Sequence, residues 1–167
     1  ARPAVTFVCT GNTCRSPMAE ALFKQGLKAK GLEREWGLPF LVRSSGTNAQ
    51  DGRPADPQAV EALRELKLSL GAHGASALTP ALVDNSDWIF TMTWAQRESI
   101  LRIMPTCRDR IRLCSATGED IPDPASLNDL ANVLFGGVVV PGTGEVYERG
   151  TPLTEEAKIP TTNKEEI

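Results

Sequence analysis

Cys9 and Arg15 stand six residues apart in VCTGNTCRSP, residues 8–17, between an apolar run and a helix-like run. Gly11 and Asn12 both tolerate positive φ, so the backbone can curl there and turn successive N–H groups inward as an anion nest. A helix starting directly afterwards adds further N–H groups and the positive end of its dipole. Thr10, Gly11, Asn12, Thr13, Cys14 and Ser16 then form a cradle for an oxyanion of phosphate size. Arg15 adds a fork that reaches two of its oxygens. The same donors favour the thiolate of Cys9, which faces the phosphorus as a nucleophile and can form a phosphocysteine. Ser16 can donate its hydroxyl to the sulfur when the sulfur leaves. The nucleotide-binding pattern G-x-x-x-x-G-K-[ST] is absent. Neither metal nor cofactor is called for, because Arg15 and the nest supply the compensating charge.

The elements that must hold this loop follow from hydrophobic spacing. Ala4–Cys9 reads as a buried strand. Pro17 suits the first turn of a helix that runs through MAEALFKQGLKAK to a stop at Gly31. Phe40–Val42 reads as a second strand, ending at a turn-rich RSSGTN. Asp56 caps a helix with Val60, Leu63 and Leu66 on one side. Trp88–Met92 is a third strand, Trp94–Met104 a helix stopped by Pro105, and Arg110–Cys114 a fourth strand. Ser126 caps a helix from Leu127 to about Phe135. Strands alternating with helices predict an α/β fold with a parallel sheet covered on both faces. The tail has no sustained helical period. Val138–Val140 and Glu145–Tyr147 flank PGTG as a hairpin, and the last fifteen or so residues read as disordered.

The 167 residues suffice for one domain with a real core. A hydrophobic share of 41%, a charged share of 23% and a net charge of −3 with dispersed cations leave no footprint for nucleic acid or a membrane surface. The apolar stretches are far short of a membrane span. Four cysteines are too few for a secreted disulfide scaffold, which predicts reduced thiols and a cytoplasmic setting. Cys107 and Cys114 read as packing residues, as do Trp36, Trp88 and Trp94.

CTGNTCRSPMAE resembles the active-site loop of the low-molecular-weight protein-tyrosine phosphatases, Cys-x5-Arg-Ser after the first strand. SSGTNAQDGRPADPQAVEAL, LTPALVDNSDWIFTMTWAQRESI and EDIPDP continue the resemblance in family order, over roughly residues 4–135. The tail departs from it, because the family usually ends in a helix. A phosphatase domain at 1–135 and an atypical tail at 136–167 are therefore expected. The resemblance implies a three-layer sandwich with a four-stranded parallel sheet in flavodoxin-like order. It places the phosphate loop at the switch point after strand 1. It also implies Cys9 as nucleophile, Arg15 as clamp on the phosphate and transition state, and Asp123 of IPDP as general acid. Pro124 would fix the loop that presents the acid. Asn12 would hold the unusual turn, Ser44 and His73 would support the loop by hydrogen bonds, and Cys14 would trap an oxidised Cys9 as a disulfide.

The implied partner is a phosphorylated protein. Thr13 follows Asn12 where eukaryotic tyrosine phosphatases of the family usually carry Ile, and the bacterial protein-arginine phosphatases carry Thr. A hydroxyl suits a guanidinium and an attacking water, whereas Ile is shaped for an aromatic ring, so phosphoarginine is the preferred substrate over phosphotyrosine. Ala125 replaces the Tyr or Phe that commonly walls the slot, which weakens stacking on a phosphotyrosine ring but also removes a wall from the arginine-phosphatase pattern, so it discriminates less than Thr13. Two other readings compete. An arsenate reductase of the same fold would use Cys107 and Cys114 as a relay. A structural zinc module would use all four cysteines, although Cys107-x6-Cys114 is wide for a knuckle.

Overall fold

β1 (Ala4–Cys9) is buried along its whole length. A strand with no exposed position needs cover on both faces, as the central strand of a parallel sheet has. It pairs in parallel with β2 (Leu41–Gly46) on one side and β3 (Trp88–Thr91) on the other, and β4 (Ile111–Leu113) pairs in parallel with β3. The order β2-β1-β3-β4 is flavodoxin-like and puts the chain reversal beside β1. The structure is a computed structural model and describes residues 2–33, 37–115 and 118–122, with two short strands at 138–140 and 145–147.

Alternation along β1 divides the interior into two cores. Val5, Phe7 and Cys9 face α1 (Arg15–Ala29) and α2 (Pro57–Glu65), packing with Met18, Leu22, Phe23, Leu27 and Leu63. Phe7 meets Phe23 edge-on at 5.6 Å and stacks on Phe90 at 5.7 Å, two geometries that aromatic rings prefer. Val8 and Ile89 face the other way. They pack with Val83 of α3 (Pro80–Asp84), Ile100 and Leu101 of α4 (Trp94–Ile103), and Cys107 of a 3₁₀ turn (Pro105–Arg110). The result is helices, sheet, helices in three layers.

Several elements differ from the sequence expectation. α1 begins at Arg15 rather than Pro17, so the arginine itself belongs to the first turn. β2 does not stop at Val42 but runs through Arg43, Ser44 and Ser45 to Gly46. Its polar half is held in strand form because it pairs along all of β1, from Ala4 with Leu41 to Cys9 with Gly46. In α2 the buried positions are Ala59, Ala62 and Leu63, whereas Val60 is exposed. α3 is an addition to the expected elements, although Thr79 caps it through Leu82 N at 3.1 Å and Pro80 opens it.

β5 (Val138–Val140) and β6 (Glu145–Tyr147) pair antiparallel, Val138 opposite Tyr147. The helix expected at 127–135, the closing segment 148–167 and Trp36 lie outside the described residues. Among the described residues no helix is long and apolar enough to cross a membrane.

Candidate active site

The segment from Cys9 to Ser16 leaves the C-terminal end of the central strand and enters α1. Its carbonyls are engaged by the surrounding scaffold. Cys9 O accepts from Thr47 N at 2.9 Å, Thr10 O from Asn48 N at 2.9 Å, and Thr13 O from Asp56 N at 2.8 Å. Cys14 O accepts from Met18 N within the helix at 3.1 Å. An anion nest needs a loop whose carbonyls are engaged elsewhere, so that its N–H groups remain for a ligand. Asn12 N donates to Cys9 Sγ at 3.2 Å, so the sulfur lies against the loop's own backbone.

Asn12 is the keystone of the turn. It has φ 54 and is fully buried. Asparagine is among the few residues that accept this conformation. Gly11, expected to share the left-handed backbone, does not adopt it. The Asn12 side chain donates from Nδ2 to Ser16 Oγ at 2.8 Å and accepts Ser76 N on Oδ1 at 2.8 Å. His73 Nε2 lies 2.7 Å from Asn12 O. A carbonyl can only accept, so the His73 proton sits on Nε2.

Ser16 Oγ lies 3.0 Å from Cys9 Sγ and 3.3 Å from Ser45 O. Asn12 Nδ2 already donates to it, so the single hydroxyl proton serves either the sulfur or the Ser45 carbonyl. An anionic sulfur draws that proton, because hydrogen bonds to charged acceptors are the stronger ones. β2 meets the loop through Ser45, whose hydroxyl also donates to Ser76 O at 3.0 Å. Ser44, the residue singled out in the sequence, is one position away, and successive side chains on a strand point to opposite faces.

Gly46 is a second residue that the sequence did not mark. A Cβ there would lie 2.5 Å from Thr10 O and 3.0 Å from Asn12 N, both backbone atoms of the loop. Gly46→Ala therefore displaces the loop itself. The expected result is a loss of about 10²-fold in kcat/KM, the scale of an ångström's misplacement. Melting should fall by several degrees, since overpacking costs about 1–3 kcal/mol. A variant with native kinetics would show that the loop tolerates the shift.

Arg15 is buried, and its Nη1 donates to Ile121 O at 2.9 Å. Ile121 N donates to Met92 O at 2.7 Å. The chain that leads to Asp123 is thus pinned beside the guanidinium two residues earlier. Asp123, Pro124 and Ala125 themselves lie outside the described residues. Thr10 is exposed and receives Gln96 Nε2 on its hydroxyl at 3.1 Å. Thr13 and Cys14 are half-buried. Gln96 is a further residue absent from the sequence reading, but Thr93-Trp-Ala-Gln96 carries the capping-box spacing that could have found it.

The other two cysteines are remote from this chemistry. Cys107 and Cys114 are fully buried, in cores on opposite faces of the sheet. Burial pushes the Cys107 thiol up, and pushes Cys114 up to about 12. They do not form the exchangeable pair that a reductase relay needs, and the four-cysteine zinc set is not assembled. Among the described residues, no group of three His, Cys, Asp or Glu side chains is placed to hold a metal ion.

Residues 4–134 match the family model described as low molecular weight phosphotyrosine protein phosphatase. The chain is 42% identical over 156 residues to the protein-arginine-phosphatase of Bacillus subtilis, covering 91% of this chain and 89% of that one. That match runs past residue 135, so similarity extends into the C-terminal segment. It is 37% identical over 121 residues to the probable low molecular weight protein-tyrosine-phosphatase EpsP of Ralstonia solanacearum, covering 72% of this chain and 77% of that one. Among solved structures, the YwlE arginine phosphatase, in a mutant with a phosphorylated active-site serine, superposes with a TM-score of 0.70 at 35% identity. That alignment covers 78% of this chain and 86% of the other.

Proposed function

The chain belongs to the low molecular weight phosphotyrosine protein phosphatase family, and from that membership and the geometry of the loop we propose that it hydrolyses phosphorylated proteins through a phosphocysteine on Cys9. The observation that carries the reading is the sulfur's setting: Asn12 N at 3.2 Å, Ser16 Oγ at 3.0 Å, and a loop whose carbonyls are held by the scaffold. In the first step the thiolate attacks phosphorus, the bond from phosphorus to the leaving group breaks, and Asp123 protonates the departing atom. Arg15 and the loop amides bind the phosphoryl oxygens and hold the charge that gathers there. In the second step Asp123 takes a proton from water, water attacks the phosphocysteine, and Ser16 donates to the sulfur as it leaves. The phosphorylated active-site serine of the YwlE mutant supports a covalent phosphoenzyme on this fold.

Phosphoarginine is the preferred substrate. Thr13 carries a hydroxyl in the nucleophile loop, and the relative matched over 91% of the chain is named a protein-arginine-phosphatase. The test is a comparison of kcat/KM on phosphoarginine and phosphotyrosine peptides for the native protein and Thr13→Ile. The native protein should favour phosphoarginine, and Thr13→Ile should shift the ratio toward phosphotyrosine by about 10–100-fold, the range over which one pocket side chain discriminates. Native preference for phosphotyrosine, unchanged in Thr13→Ile, would reverse the substrate assignment and leave the phosphatase chemistry standing.

A further inference from the structure

Gln96 sits at the third position of α4 and is 5% exposed. Its Oε1 accepts from Met92 N at 2.9 Å and Thr93 N at 3.1 Å. Met92 N also reaches Val8 O at 3.2 Å, but the N-cap donor Thr93 N can be met only by the carbonyl end of the amide, which sets the side chain's sense. The NH₂ end is thereby aimed the other way, where Nε2 donates to Thr10 Oγ1 at 3.1 Å. A capping box needs only the first of these functions. The contact with Thr10, the residue after the nucleophile, is additional.

The same corner grips the other catalytic segment. Met92 O accepts Ile121 N at 2.7 Å, Trp94 N donates to Asp120 Oδ1 at 2.8 Å, and Trp94 Nε1 donates to Gly118 O at 3.0 Å. Ile121 O returns to the loop through Arg15 Nη1 at 2.9 Å. Residues 92–96 therefore join a closed circuit: Thr10, Gln96, Met92, Ile121, Arg15 and back to the loop. We infer that Gln96 is a positioning residue that fixes the spacing between the nucleophile loop and the segment carrying Asp123. This rests on the reading of Cys9 as nucleophile and Asp123 as acid.

The test compares kcat/KM on para-nitrophenyl phosphate, whose leaving group needs little protonation, and on phenyl phosphate, whose leaving group needs it. Asp123→Asn is the reference and should lose roughly 10²–10⁴-fold on phenyl phosphate and much less on the nitrophenyl ester. Thr10→Val removes the acceptor of Gln96 Nε2 without touching the helix cap. Thr10→Val and Gln96→Met should each lose about tenfold more on phenyl phosphate than on the nitrophenyl ester, a fraction of the cost of misplacing a catalytic group. Thr10→Ser, which keeps the hydroxyl, should retain the native ratio. The double variant should lose no more than Gln96→Met alone, because both changes cut one link. Equal losses on the two esters, or losses that multiply in the double variant, overturn the inference while Asp123→Asn keeps its signature. An Asp123→Asn variant with no leaving-group dependence overturns the acid assignment and this inference together.

Discussion

Cys9→Ser leaves a folded protein whose turnover falls by on the order of 10⁴-fold or more, the scale seen when a nucleophile is deleted from an intact site. Serine fits the same space and keeps a polar atom within reach of Asn12 N and Ser16 Oγ, at 3.2 and 3.0 Å from the sulfur it replaces. The fold is therefore kept and the chemistry is not. An alcohol is almost entirely protonated at neutral pH and needs a base to attack phosphorus. His73 is the single histidine of the chain, and its Nε2 proton is held against Asn12 O at 2.7 Å. It is a strut under the loop and is not placed to take a proton at residue 9. Steady-state kinetics beside a thermal melt checks the result. A Cys9→Ser enzyme within about tenfold of the native rate would mean that the sulfur is not the nucleophile.

Arg15→Ala is expected to cost on the order of 10³–10⁵-fold in kcat, the worth of an arginine that stabilises phosphoryl transfer. Two losses combine. The phosphoryl oxygens lose a cation held in a buried site, where a fixed charge acts strongly. Ile121 O loses its donor at 2.9 Å, which releases the chain leading to Asp123. Arg15→Lys separates them. It restores the charge but not the planar fork that can hold Ile121 and face an oxyanion at once, so it should recover only a small part of the rate. Single-turnover rates for the two variants make the comparison. A lysine variant at the native rate would reduce Arg15 to a point charge.

The residues proposed to carry the chemistry are legible because their types are rare in combination: a cysteine closing an apolar strand, an arginine six residues on, and a residue between them suited to positive φ. Asn12 can be read from sequence because φ 54 is a local property of the backbone. The supports are harder to see because tertiary pairing decides them. RSSG reads as a turn by composition, yet β1 holds it as a strand. Gly46 looks like turn chemistry, yet the structure requires it because Thr10 O would be 2.5 Å from any Cβ. Gln96 looks like an ordinary capping residue until the loop it reaches, 86 positions earlier, is placed beside it. Ala59, Ala62 and Leu63 are buried on α2 while Val60 is exposed, because tertiary docking, and not side-chain hydrophobicity alone, chooses the face.

Phosphocysteine formation is tested most directly by mixing the protein with a phosphorylated substrate, quenching within one turnover and mapping the phosphoryl group by mass spectrometry. The expected result is one phosphoryl group on Cys9, formed at least as fast as the steady-state rate and lengthened in life by Asp123→Asn. A phosphoryl group found on His73, or turnover with none on the protein, would contradict it.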